Sequence, residues 1–204
     1  MPWNMKSIKL LFLVLTVLSM SAKAQQSFKA GLTFGMTTSQ ISGDGLGGWD
    51  KFGLAGGAFV SAPLSAKSGF RIGINYADKG ARTKRDTLNF NTFAYRLKYI
   101  EVPVQYAVKN GPLTFLYGVY YGRLIKQDIL SNGYAYEITP AFKNSDFGVS
   151  IGAALQMGDH FFIEGKFSSS VIPTRPSPNF ANQNSYYEKG NYNQVIYFLI
   201  GRNF

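Results

Sequence analysis

The sequence predicts an all-β chain, an eight-stranded antiparallel up-and-down transmembrane β-barrel that follows a cleaved signal peptide. Three observations carry that prediction: an export address at the amino terminus, a period-two alternation through the rest of the chain, and connections that alternate between short and long. The 204 residues divide into a signal at 1–24 and one barrel domain at 25–204. Aromatic and charged residues stand at 16% each, a balance that excludes a disordered chain.

The address comes first. Lys6 and Lys9 precede the apolar run Leu10 to Leu18, and Ala22-Lys23-Ala24 supplies the small-x-small pattern of a signal-peptidase site, with cleavage expected between Ala24 and Gln25. The run is about half the roughly 20 residues that a membrane-crossing helix requires. Lys6, Lys9 and Lys23 leave with the signal, which lowers the net charge of +10 by three. The remaining cations are scattered rather than clustered, so nucleic acid is not expected as a partner. Cysteine is absent, which excludes disulfides, thiolate metal sites and a lipidated cysteine anchor.

Beyond Gln25, every second residue is apolar over stretch after stretch. Phe28, Ala30, Leu32, Phe34 and Met36 alternate with Lys29, Gly31, Thr33, Gly35 and Thr37. Phe70, Ile72, Ile74 and Tyr76 alternate with Arg71, Gly73, Asn75 and Ala77; Ile100, Val102, Val104, Tyr106 and Val108 with Glu101, Pro103, Gln105 and Ala107. The clearest run is Phe147 to Met157, and Phe161 to Ser168 follows it. Leu113 to Leu124 and Asn193 to Phe204 alternate less cleanly, and at Gly53 to Pro63 either parity fits the outer face. Strands of about 9–11 residues suit a tilted membrane crossing, whereas soluble strands average about 5–6.

The links then set an orientation. Leu64 to Ser68, Lys109 to Pro112 and Gly158 to His160 are short, whereas Ser39 to Phe52, Asp78 to Tyr95, Ile125 to Asn144 and Pro173 to Tyr192 are long. Short turns belong to the periplasmic side of such a barrel, and both mature termini fall there with them. Outward aromatics gather at both ends, Phe28, Phe70, Tyr106, Phe161 and Phe204 near the short turns and Tyr76, Tyr121 and Phe147 near the long loops, as interfacial girdles do.

Eight strands enclose a space that side chains fill, so no conducting channel is expected. Arg71, Glu101, Glu164 and Lys166 share the inward parity of their strands. They either form a lumen network in which Arg71 and Lys166 compensate Glu101 and Glu164, or solvate an internal water chain. Lys79, Arg82, Lys84 and Arg85 fall in the second long link; they read as a lipopolysaccharide contact through its phosphates or as ordinary solvated loop charge.

Gly53 to Gly80 (GLAGGAFVSAPLSAKSGFRIGINYADKG) resembles the second and third strands of the PorT-like outer-membrane β-barrel family, including its Tyr-x-x-Lys-Gly ending at Tyr76, Lys79 and Gly80. Tyr99-Ile100-Glu101-Val102-Pro103 resembles that family's Tyr-aliphatic-Glu-aliphatic-Pro strand. The terminal Phe204 is similar to the carboxyl-terminal assembly signal read by the barrel-assembly machinery, with Arg202 standing where an apolar or aromatic residue is more usual. The resemblance implies an outer-membrane location, contact with membrane lipid and lipopolysaccharide, and for some members a secretion-complex or gliding partner.

No enzyme is expected. His160 is the one histidine and lies in a short turn, away from any rim where it would meet a lipid ester, and no phosphate-binding glycine loop is present. No cofactor or metal is expected. The leading expectation is thus a filled barrel with a structural or interaction role through its long loops. The alternative is a secreted soluble barrel of lipocalin type, in which the apolar face turns inward.

Overall fold

The computed structural model describes residues 28–46, 48–83, 92–176 and 190–204, so Ala24, Gln25, Lys84 and Arg85 lie outside the described residues. Eight long strands follow one another: β1 (Lys29–Ser42), β2 (Lys51–Pro63), β3 (Ser68–Arg82), β4 (Phe93–Asn110), β5 (Leu113–Ser131), β6 (Ser145–Met157), β7 (Phe161–Ser170) and β8 (Gly190–Asn203). Each pairs antiparallel with its chain neighbour. β1 pairs with β8 from Gly31↔Asn203 to Ser42↔Tyr192, which closes the barrel. Two residue pairs, Tyr134–Ala135 and Arg175–Pro176, add short ladders to the end of β5 and the start of β8.

The alternation sets the faces. Leu32, Phe34, Ile72, Ile74, Val102, Val104, Val119, Ile151, Ile163, Phe198 and Ile200 all point outward and are exposed, Phe34 by 67%. Facing inward are Thr33, Thr37, Arg71, Lys79, Glu101, Gln105, Asp146, Ser150, Glu164 and Lys166, all buried. This is the reverse of a soluble ligand-binding barrel, and it suits hydrocarbon outside. On β2 the structure decides the open parity: Phe52, Leu54 and Val60 face out, while Lys51, Ala55 and Phe59 face in.

Interior glycines answer to interior aromatics. A Cβ at Gly201 would lie 2.0 Å from a ring carbon of Phe162, and one at Gly31 would lie 2.3 Å from the ring of Phe59. Pro103 has no N–H, and the β3–β4 ladder is interrupted beside it between Ile72↔Val104 and Asn75↔Glu101 without a change of register.

The strands run further than the sequence reading at the long-loop end. β3 continues to Arg82 and β4 starts at Phe93, while β5 reaches Ser131, so β4 and β5 have 18 and 19 residues. That is about twice the 9–11 that a crossing needs. A register shift between Lys98 and Tyr99, opposite Leu124 and Lys126, leaves Ile125 as the extra residue of a bulge. Beyond that level the apolar set changes sides. Tyr95, Leu97, Tyr99 and Ile129 turn inward and are buried, while Arg96 and Lys126 face out.

The short-turn end carries paired outward aromatics, Phe70 with Tyr106 at 5.6 Å between centroids. The Phe204 N–H donates to the Ala30 carbonyl at 2.9 Å, and the guanidinium of Arg202 lies 5.7 Å from the Phe161 ring and 5.4 Å from that of Phe204. Cation–π contact with two rings accounts for an arginine at this unusual position. Because Ile151 stands mid-strand on the outward face, Ile151→Arg is expected to cost about 2–4 kcal/mol in a lipid bilayer. Equilibrium unfolding in vesicles checks this, and an unchanged free energy would refute the facing.

Candidate functional site

The lumen is filled in three layers between the turns and the loops. Nearest the short turns, the rings of Phe59 and Phe162 meet edge to face at 5.9 Å. The Arg71 guanidinium lies 3.7 Å above the Phe59 ring and donates through Nη1 to Glu164 Oε2 at 2.6 Å. This is a buried, charge-assisted pair whose cation also rests on an aromatic face, an arrangement that replaces part of the lost hydration. The cavity beside Arg71, Gln105, Glu164 and Lys166 is about 10 Å³, at the limit of what holds one water. Direct pairing, rather than a chain of waters, therefore fills this level.

Lys79 governs the middle layer. Its side chain is 0% exposed, and Nζ contacts both Asp146 Oδ2, at 3.0 Å, and Glu101 Oε1. The same ammonium stands 4.5 Å from the ring centroid of Tyr120 and 5.0 Å from that of Tyr99. Asp146 in turn accepts from Ser170 Oγ at 2.7 Å, Asn193 Nδ2 at 2.9 Å and the Tyr120 hydroxyl at 3.3 Å. The Tyr197 hydroxyl donates to Glu101 at 3.0 Å, and Lys166 Nζ lies 4.1 Å above the Tyr197 ring. These groups come from β3 to β8, so one network ties six strands together. Arg71, Lys79 and Lys166 against Glu101, Asp146 and Glu164 make a balanced set of three and three.

Above them sits an apolar plug. Ile41, Ala81, Tyr95, Leu97, Tyr99 and Ile129 converge from the strands, and Phe142 drops in from the link between β5 and β6. Arg175 holds that link from the next one, donating through Nε to the Pro140 carbonyl at 2.7 Å, and the Lys143 N–H donates to the Thr174 carbonyl at 2.6 Å. A plug above an ionic layer leaves no continuous passage for solutes along the described interior.

The expected site residues separate into three groups. Arg71 and Glu164 do pair, but Glu101 is neutralised by Lys79, with Lys166 resting on Tyr197. Lys79 is accordingly corrected: it is not a loop cation facing lipopolysaccharide, because β3 carries on past Asp78 and its parity turns Lys79 into the lumen. Arg82 ends β3 at the long-loop end, partly exposed. His160 is exposed in the turn after β6. The sequence reading missed Asp146, Tyr120, Ser170, Asn193 and Tyr197. The signal for Asp146 was available, since it keeps the even inward parity of Gly148 and Ser150.

Comparison with known proteins agrees with this geometry. A family model described as the outer membrane protein beta-barrel domain matches residues 20–174. The structure is similar to that of Ail, the attachment invasion locus protein of Yersinia pestis, solved in complex with the heparin analogue sucrose octasulfate. The identity is 13%, the TM-score is 0.50, and the match covers 88% of this chain and all of that one. Neisserial surface protein A is similar at 10% identity and a TM-score of 0.49, over 87% of this chain and 97% of the other. The likeness to Ail shows the fold. No curated protein matches the chain.

Lys79→Met strands two buried carboxylates, so it should lower stability in detergent by about 3–5 kcal/mol. Adding Asp146→Asn to it should restore much of that loss, because Arg71 and Lys166 then balance Glu101 and Glu164 two against two; a double variant as unstable as the single one would contradict the pairing.

A second expectation concerns Asp44, in the link between β1 and β2, which accepts the Leu46 N–H at 2.9 Å. Burial pushes its carboxyl up to about 6, against the pull of that hydrogen bond. The folded state holds the proton more tightly than the unfolded chain, so this contribution to stability is full below the unfolded value of 3.8 and is lost as the pH rises through about 6. Asp44→Asn keeps the acceptor and removes the ionisation. Its melting temperature relative to wild type should therefore rise across that window, and parallel curves would count against a buried carboxyl.

Proposed function

The chain belongs to the outer-membrane protein β-barrel domain family, and from that premise we propose that it is an interaction barrel: a closed scaffold that presents an external platform to another protein. The observation that carries this reading is the continuation of β4 and β5 past the apolar band. The platform ends in Tyr134, 80% exposed, and Tyr136, also exposed. Aromatic side chains held out on a hairpin cost stability in water and are the residue type enriched where partners dock.

In this reading the long loops face outward and both mature termini lie in the periplasm, as the short turns on one end suggest. Phe204, exposed at the end of β8, serves as the assembly signal for the barrel-assembly machinery. The role is non-catalytic; His160 stands in a short turn, at the opposite end from the platform. A PorT-like kinship, with a link to secretion or surface machinery, is the finer reading. It is supported by Tyr99-Ile100-Glu101-Val102-Pro103, whose Tyr99 and Glu101 both belong to the lumen network.

A photocrosslinking side chain at position 134 tests the proposal in intact cells. A discrete protein adduct is expected from position 134 and none from the same probe at Ile151. If neither position yields one, the interaction reading fails.

A further inference from the structure

The cations on the outer surface are not spread around the barrel. On β1, β6, β7 and β8, the outward positions just beyond the apolar band are Thr38, Ser145, Ser169 and Gln194, all neutral. On β3, β4 and β5 they are Arg82, Arg96, Lys98, Arg123 and Lys126, with the acids Asp78 and Asp128 at the same level. Register brings these together. Arg123 lies opposite Ile100, Lys98 lies between Asp78 and Lys126, and Arg96 lies opposite Asp128.

Two like charges directly across a strand pair are destabilising, and Lys98↔Lys126 is such a pair. Among the described residues Lys126 reaches Asp128 at 3.4 Å, whereas Arg82, Arg96, Lys98 and Arg123 make no ion pair. Five cations stand here against two acids, and Asp78 is held by Lys51 at 2.9 Å and Asp128 by Lys126, so the sector keeps a net positive charge suited to an anion. Immediately below it the surface turns apolar: Ile100 lies between Tyr76 and Arg123, and the Tyr121 and Phe147 rings pack at 4.9 Å.

We propose that Arg96, Lys98 and Arg123, with Arg82 and Lys126 at the margin, bind the phosphate groups of one lipid A molecule. Its acyl chains lie along Ile100, Val102 and Tyr121. Arginine and lysine supply charge-assisted hydrogen bonds to phosphate, and the apolar strand face beneath gives the chains a seat. The binding surface is a sector of the barrel wall rather than the loop between β3 and β4. This rests on the outward orientation proposed above, but it is tested without it, since binding in micelles does not depend on which way the barrel inserts.

The test uses the mature chain refolded in detergent and titrated with bis-phosphorylated lipid A, with melting temperature as the readout. A saturable upward shift is expected for wild type, and for Lys143→Gln, which alters an exposed cation elsewhere. The variant carrying Arg96→Gln, Lys98→Gln and Arg123→Gln should need at least about tenfold more lipid for the same shift. Without lipid it should melt close to wild type, because among the described residues none of the three cations makes an ion pair. Lys98→Gln and Arg123→Gln alone carry the test should the triple variant not fold. Lipid A stripped of phosphate, and inorganic pyrophosphate, should each leave the wild type unshifted. An equal response by the variants overturns the site, as does an equal response to dephosphorylated lipid. A full shift from pyrophosphate would make it a site for free anions and overturn the lipid assignment.

Discussion

Closure of the sheet between β1 and β8 is the constraint on which everything else rests. Backbone N–H and C=O groups facing hydrocarbon have no water to bond, so a spanning sheet must satisfy its last edge with its first. Closing with eight strands leaves an interior only wide enough for side chains. Once the inward face is polar, every charge placed there is cut off from solvent and has to find a partner across the lumen. Lys79 between Glu101 and Asp146, and Arg71 on Glu164, meet that requirement. The glycines facing Phe59 and Phe162 provide the room it demands.

A second constraint comes from the change of solvent along each strand. Within the band the outside is apolar and the inside polar, but once the strands leave it water is on the outside and the amphipathy inverts. β4 records the switch: Ile100, Val102 and Val104 face out below, while Leu97 and Tyr95 face in above. The bulge at Ile125 lies at the same level on β5. The inverted upper segment builds a small soluble-type core, and Phe142 completes it. The interior is therefore sealed by two kinds of chemistry, an ionic layer and an apolar one.

This division bears on function. The lower barrel is tied by a network that spans six strands, and such a unit holds its shape. What can vary without disturbing it is the upper rim, where Tyr134 and Tyr136 are exposed and where the cations of β3 to β5 gather on one side. A rigid body with a laterally asymmetric rim can hold one fixed attitude toward both its lipid neighbours and a protein partner.

The eight strands, the outward faces of all but β2 and the alternation of short and long links were legible in the chain alone, because period two and turn composition are local properties. The inward parity of Arg71, Glu101, Glu164 and Lys166 was legible for the same reason. Which of them meet was not, since Glu101 and Lys79 are brought together by pairing between β3 and β4, and Asp146 arrives from β6. The apolar-outside pattern stops at Tyr76, which makes Lys79 look like a loop cation in the chain alone. The strand did not stop there; only the solvent changed. Local sequence determined where the membrane band lies, whereas the length of the strands beyond it and the partners within the lumen were decided by closure, which brings residues distant in the chain into one dry interior.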